Sequence, residues 1–170
     1  MNFFIIFMGV SGCGKTTIGK MTAKTLGVPY YEGDEYHPQV NVEKMSRGLP
    51  LNDEDRDGWL QRLSELIRDK LAKGESGVLS CSALKKNYRD RLRVDPDRVH
   101  FIYLKGGFEL ILERMERRTN HYMPSDLLKS QFETLEEPET VFIIEIDQSP
   151  EEILSQVMFY ITNKIYLAKA

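Results

Sequence analysis

Residues 9–16, Gly9-Val10-Ser11-Gly12-Cys13-Gly14-Lys15-Thr16, satisfy the pattern GxxxxGK[ST] and follow directly on the apolar run Phe3 to Met8. A strand, a glycine-rich turn and a helix in that order is the setting this pattern requires, and few folds supply it. The run is apolar on both of its alternating faces, which suits a strand covered on both sides in a parallel sheet. In such a loop the backbone of Gly9, Val10, Ser11, Gly12, Cys13 and Gly14 curls so that successive N–H groups point inward at phosphate oxygens. The helix that follows adds the positive end of its dipole. Lys15 supplies a mobile cation for the β- and γ-phosphates, Thr16 offers a hydroxyl to Mg²⁺, and Thr17 is placed to touch the α-phosphate. Binding of a nucleoside triphosphate is the expectation.

The rest of the chain repeats the alternation of strand and helix. Short apolar runs at 77–81, 99–104 and 141–146, with a weaker one at 29–31, are separated by helix-length segments, which predicts a parallel sheet. A helix is expected over 15–26, stopped by Gly27 and Pro29. Another carries Trp59, Leu60, Leu63, Leu66, Ile67 and Leu71 at helical spacing behind a cap at Asn52 or Asp53. Further helices are expected over 84–93, 108–118 and 125–132, and a last one opens with Ser149-Pro150-Glu151-Glu152. With 170 residues and no visible repeat or linker, one domain over 1–170 is expected. The polar stretches 32–56 and 117–125 then read as functional loops and short helices.

Composition narrows the partners. With 23 basic against 26 acidic residues and a net charge of −3, the chain lacks the positive field of a dedicated nucleic-acid-binding domain. No run approaches the roughly 20 apolar residues that span a bilayer, and the opening run has no basic segment before it. Cys13 and Cys81 form no CxxC or zinc spacing. Neither a nucleic-acid nor a membrane partner is expected, and a reducing cytoplasm fits best.

A phosphate-binding loop does not by itself separate a kinase from a switch or a motor. No Asn-Lys-x-Asp sequence is present to read guanine, and no apolar strand ends in the Asp-Glu pair of hydrolytic motors; the third strand ends in Ser80-Cys81-Ser82. An acidic partner for the metal must come from elsewhere, and Glu32-Gly33-Asp34, after the weak second strand, is best placed. Asp34 there would lie near both Mg²⁺, through water, and an acceptor hydroxyl.

Several further blocks stand along the chain: Gly33-Asp34-x-x-His37-Pro38, Asn41, Lys44-Met45, Gly48-x-Pro50-Leu51, Asp53-x-Asp55-Arg56 and Trp59-Leu60. Beyond them come Cys81-Ser82-Ala83-Leu84-Lys85 with Tyr88-Arg89-Asp90, then His121-x-Met123-Pro124, Leu127-Leu128-x-Ser130-Gln131-Phe132 and Leu135-Glu136. Together with the phosphate loop they resemble the gluconokinases, a family of phosphate-loop small-molecule kinases, over roughly residues 5 to 138. The resemblance implies an α/β fold of three αβα layers with a five-stranded parallel sheet and a mobile lid over about 117–125, and an acceptor-binding region over about 34–60. It implies transfer of the γ-phosphoryl group of ATP to the terminal hydroxyl of D-gluconate, and, since family members are commonly dimers, assembly as a homodimer. The chain departs from the family pattern at Cys13, Glu32, Tyr36 and Asp57-Gly58, and Tyr36 and Gly58 bear on fine acceptor preference.

Gluconate is a linear polyol with one carboxylate, so its pocket needs a cation and several hydrogen-bonding side chains. Arg56 is the leading carboxylate fork, with His37, Lys85 and Arg89 as lesser candidates and His121 as a lid contact. Asp34 would orient or deprotonate the attacking hydroxyl. By similarity to related small-molecule kinases, Arg114 would stack on adenine while Arg117 or Arg118 reaches the phosphates, and the loop 147–150 is placed to border adenine. Competing readings are a kinase for another small polyol acid or a shikimate-like acceptor, and a non-catalytic ATP-binding module, against which intact Lys15, Thr16 and Asp34 argue. Cys13, at a helix N-terminus among inward N–H groups, is expected to be open to alkylation with protection by ATP.

Overall fold

The computed structural model describes residues 2–118 and 125–167. Five strands, β1 (Phe4–Met8), β2 (Tyr30–Glu32), β3 (Gly77–Ser80), β4 (Val99–Lys105) and β5 (Phe142–Glu145), form one sheet in the order β2-β3-β1-β4-β5. Every pairing is parallel, with β1 flanked by β3 on one side and β4 on the other. The central strand is the one the phosphate loop leaves. The chain then builds one half of the sheet before crossing to the other, so the switch point at which ligands bind in open α/β sheets falls at the end of β1.

Both faces of β1 are buried because both are covered by helices. Phe3, Ile5 and Phe7 point into a core completed by Ile18 of α1 (Lys15–Leu26), Ile111 of α5 (Phe108–Glu116), Leu128 of α6 (Ser125–Thr134) and Ile153 and Val157 of α7 (Pro150–Ile161). Phe4, Ile6 and Met8 point the other way, against Trp59, Leu63 and Ile67 of α3 (Asp53–Ala72) and Tyr88 and Leu92 of α4 (Lys86–Leu92). This period-two division of a continuous apolar run yields the three expected layers.

Local signals set the element ends. Asn52 caps α3 in a reciprocal box with Asp55, and Ser149 caps α7 in the same way with Glu152. Gly27 closes α1 in the left-handed region. The stretch 32–56 contains a 3₁₀ turn, Gly33–Tyr36, and a helix, α2 (Gln39–Ser46). The chain continues past α7 into a π-helical turn, Thr162–Tyr166. No helix among the described residues is long and apolar enough to cross a membrane.

Candidate active site

The loop between β1 and α1 is shaped by its glycines. Gly9 has φ +141, and a Cβ there would stand 2.8 Å from Cys13 Sγ and 2.9 Å from the carbonyl oxygen of Leu104, so only glycine fits. The N-terminus of α1 has no side-chain cap and no acidic residue in its first turn. Its N–H groups and dipole are thus left to an anionic ligand. Lys15 Nζ donates to the carbonyls of Gly9 and Val10 at 3.0 and 2.9 Å, a cation folded over its own loop and within reach of whatever the loop holds.

Beside this loop opens a cleft of about 320 Å³ lined by Ser11, Gly12, Gly14, Lys15, Thr16 and Thr17, with Glu32, Asp34, Met115 and Arg118 on the facing walls. Thr16 Oγ1 donates to Glu32 Oε2 at 2.7 Å, and Tyr30 Oη donates to the same oxygen at 2.6 Å. The sequence points to Asp34 as the acidic partner of Thr16 and marks Glu32 only as a departure from the family pattern. The structure puts Glu32 in direct contact with the threonine hydroxyl. An acid at the end of a strand that lies beside the phosphate loop was the available signal.

Asp34 is carried on the 3₁₀ turn that follows β2. Gly33 begins that turn where a Cβ would meet the carbonyl oxygen of Ser80 at 2.3 Å, so the turn sits tight against β3. Trp59 Nε1–H donates to Gly33 O at 2.8 Å and Arg62 donates to Tyr36 O at 3.3 Å, fastening both ends of the turn to α3. Desolvation raises the Asp34 carboxyl above its ordinary range, Lys15 pulls it down, and Glu32 adds to the rise. The residue is nonetheless exposed where it borders the cleft.

A second, smaller cleft of about 100 Å³ adjoins the first and shares Ser11, Lys15 and Asp34 with it. Its inner wall carries His37, Arg56 and Trp59, closed above by Ser130 and Gln131 of α6. Arg56 is 9% exposed. Its guanidinium forms no ion pair among the described residues and donates one hydrogen bond, to Tyr88 Oη at 3.2 Å. The hydroxyl of Tyr88 in turn donates to Asp53, which Lys85 Nζ holds at 2.9 and 3.1 Å. Those two contacts, Tyr88 first, hold the Asp53 carboxyl below its usual range. Arg56 is therefore a buried cation held in place from behind with most of its donors uncommitted.

His37 stacks on Trp59 with ring centroids 4.2 Å apart, and Asn41 Nδ2 lies 3.2 Å from His37 Nδ1. The same Asn41 nitrogen donates to the carbonyl of Asp55 at 2.6 Å, which fixes the orientation of the amide. Nδ1 must then accept, and Nε2 carries the proton of the neutral ring. Burial, reinforced by the Arg56 charge, lowers the His37 pKa to about 4. His37 is thus a neutral donor at physiological pH, suited to a hydroxyl and unsuited to pairing with a carboxylate. Asn41 and Lys44, whose Nζ is 2.6 Å from Asp55 Oδ2, tie α2 to α3 and so hold this wall together.

Three sequence expectations change. Arg89 is buried, and its guanidinium donates to the carbonyls of Ala83, Leu84 and Glu136 at 2.9, 3.0 and 2.9 Å. It faces a different groove and fastens the segment after β3 to the segment after α6, so it is no acceptor ligand. Lys85 is spent on Asp53 and does not line the smaller cleft. Cys13 is 1% exposed within the core, so the expected alkylation is blocked by burial. Among the arginines before the stretch expected to form a lid, Arg118 lines the first cleft, Arg117 pairs with Glu113 on the exposed face of α5, and Arg114 donates to the carbonyl of Ile146 after β5. His121, with the rest of 119–124 in the stretch expected to form a lid, lies outside the described residues.

The family model for shikimate kinase matches residues 11–162. A thermosensitive gluconokinase from Escherichia coli (strain K12) is 52% identical over 134 residues, covering 79% of this chain and 72% of the relative. A gluconokinase from Arabidopsis thaliana is 41% identical over 176 residues, covering 95% and 93%. The solved structure of a gluconokinase from Sinorhizobium meliloti 1021 superposes with a TM-score of 0.89 at 39% identity over 99% of this chain and 98% of that one. A strand-loop-helix phosphate cradle, an adjoining cleft with a free buried arginine, and relatives of this closeness make one case: the chain belongs to the shikimate kinase-like phosphate-loop kinases and, within them, to the gluconokinases.

Proposed function

We propose that this chain phosphorylates D-gluconate at its terminal hydroxyl at the expense of ATP, giving 6-phospho-D-gluconate and ADP. The observation that carries the reading is Asp34, which borders both the phosphate cleft and the smaller cleft containing Arg56. An acid at that junction can hold a hydroxyl toward a γ-phosphate, and an uncommitted arginine within can take a carboxylate. The named relatives act on gluconate, and a neutral acceptor would leave Arg56 buried without an anion.

The roles follow from position. The loop N–H groups and Lys15 hold the β- and γ-phosphates, and Arg118, on the facing wall, reaches the charge that builds on the transferred group. Arg56 forks the gluconate carboxylate, while His37 Nε2–H donates to a hydroxyl of the chain between. Asp34 accepts the proton of the terminal hydroxyl as its oxygen bonds to phosphorus and the bond to the ADP oxygen breaks. Arg114, whose guanidinium reaches the Ile146 carbonyl beside the end of β5, meets adenine in this reading.

No group of three or more His, Cys, Asp or Glu is assembled for a metal among the described residues. The Thr16 hydroxyl and the Glu32 carboxylate are a pair of hard oxygen donors 2.7 Å apart, which fits Mg²⁺, an ion that keeps several waters and shares phosphate oxygens rather than filling a protein cage. Bound there, Mg²⁺ would neutralise charge on the β- and γ-phosphates, with Thr16 as direct ligand and Glu32 and Asp34 holding its waters. Assembly as a homodimer and a cytoplasmic location complete the reading.

Phosphorus NMR of a reaction containing ATP, Mg²⁺ and D-gluconate tests it. The expected outcome is one new phosphomonoester resonance, coupled to two protons on a primary carbon, growing in step with ADP. ADP that accumulates without it refutes transfer to gluconate.

A further inference from the structure

Ser11 lines both clefts, as Lys15 does, and its backbone N–H is already engaged. Gln131 of α6 accepts from Ser11 N–H through Oε1 at 2.7 Å and donates from Nε2 to Ser11 Oγ at 3.1 Å. This pair of bonds joins residues 120 positions apart. They meet the main chain of the nucleotide cradle from a helix that otherwise forms the roof of the acceptor cleft, through Leu127, Ser130 and Gln131 itself.

The helix is anchored at its far side as well. Phe132 packs edge-on against Phe108 of α5 at 5.6 Å between centroids, and Glu136 N–H, just past the end of α6, donates to Leu84 O at 2.8 Å. A carboxamide gripped by two bonds on one loop residue, on a helix held at both flanks, transmits displacement rather than absorbing it. An acceptor filling the smaller cleft would meet Leu127, Ser130 and Gln131 and, through the Gln131 bonds, would bear on the position of Ser11.

We infer that Gln131 is a positioning residue that couples the two substrate sites, so that gluconate and ATP each bind more tightly when the other is present. The inference rests on the acceptor assignment above. Linkage requires the effect to be the same in both directions. The bonds to Ser11 are the only direct hydrogen bonds by which the described part of α6 reaches the phosphate loop, so removing them should remove the coupling.

The test is calorimetric titration of D-gluconate into the protein with and without a non-hydrolysable ATP analogue and Mg²⁺. For the unaltered protein the analogue should tighten gluconate binding by about 5-fold or more, the usual lower range of coupling between sites. Gln131→Met keeps length without either bond and should bring the ratio, taken between the variant's own affinities with and without analogue, to within about twofold of one. An unaltered protein with no coupling, or a Gln131→Met protein that keeps the full ratio, overturns the inference. Should Gln131→Met fail to fold, Ser11→Ala deletes the Oγ bond from the other side and should at least halve the ratio, and full coupling in that variant overturns it equally. Gluconate turnover by the unaltered protein, measured alongside, separates the two layers. Turnover with coupling that survives the variant refutes only the link through Gln131, and absence of turnover refutes the acceptor assignment.

Discussion

Replacing Arg56 by Ala tests whether the smaller cleft is the acceptor site. Arg56 is 9% exposed and spends one hydrogen bond on Tyr88 Oη. Tyr88 retains Asp53 as a partner after the change, so no buried polar group is orphaned behind the cleft and the loss falls on the ligand. A hydrogen bond to a charged group contributes about 1.5–3 kcal/mol, which at about 1.4 kcal/mol per decade is a roughly 10- to 150-fold rise in the gluconate KM. The phosphate cradle is untouched, so the ATP KM should stay within about twofold. Initial rates from coupled ADP release, with gluconate varied at saturating ATP and the reverse, give both constants, and a melting curve confirms that the variant is folded. A folded Arg56→Ala protein whose two KM values rise together, or whose gluconate KM does not rise, refutes the reasoning.

Asp34→Asn should lower kcat by about 10²–10⁴ with nucleotide affinity retained. Because desolvation raises the Asp34 carboxyl and the base must be ionised, activity should fall with decreasing pH at a point above the ordinary carboxylate range. A pH profile in which Asp34→Asn keeps both turnover and that acid limb contradicts the assignment. Glu32→Gln should raise the Mg²⁺ concentration needed for half-maximal rate while leaving the gluconate KM alone, and an unchanged metal titration would remove Glu32 from the metal site. His37, with a pKa lowered to about 4, binds fewer protons when folded than unfolded, so it should contribute instability as pH falls from about 6.5 toward 4. An imidazole NMR titration with an ordinary midpoint would contradict its burial. Gly33→Ala, whose Cβ would stand 2.3 Å from Ser80 O, should cost about 1–3 kcal/mol in unfolding free energy and depress turnover by shifting Asp34; a variant with native stability and rate would show that the turn can move.

What the sequence made legible follows from where the information is local. The phosphate loop was readable because backbone curvature and a helix start demand glycines and a Lys-Thr pair at fixed spacing, and α1, α3 and α7 because their caps and apolar periods lie within each segment. The helix α2 left no such trace: Val40 and Val42 are exposed, and it is held by Asn41 and Lys44 reaching Asp55 eleven or more residues away. The same distinction separates the site residues. Arg56 and Asp34 stood in recognisable blocks. Arg89 stood in one too, but its partners at residues 83, 84 and 136 come together only in the fold, and nothing local separates an arginine that binds ligand from one that binds carbonyls. Glu32 and Gln131 were passed over for the corresponding reason, since their significance lies in contacts to Thr16 and Ser11.

Acceptor preference in the unaltered protein tests the assignment of D-gluconate as substrate. With ATP and Mg²⁺ held saturating, kcat/KM is measured for D-gluconate, D-glucose and shikimate by coupled ADP release. A cleft whose buried arginine awaits a carboxylate, with a neutral histidine for the hydroxyls of a linear chain, predicts strong preference for gluconate over glucose, which lacks the acid, and over the cyclic acid. Equal or better turnover of glucose or shikimate would contradict the account.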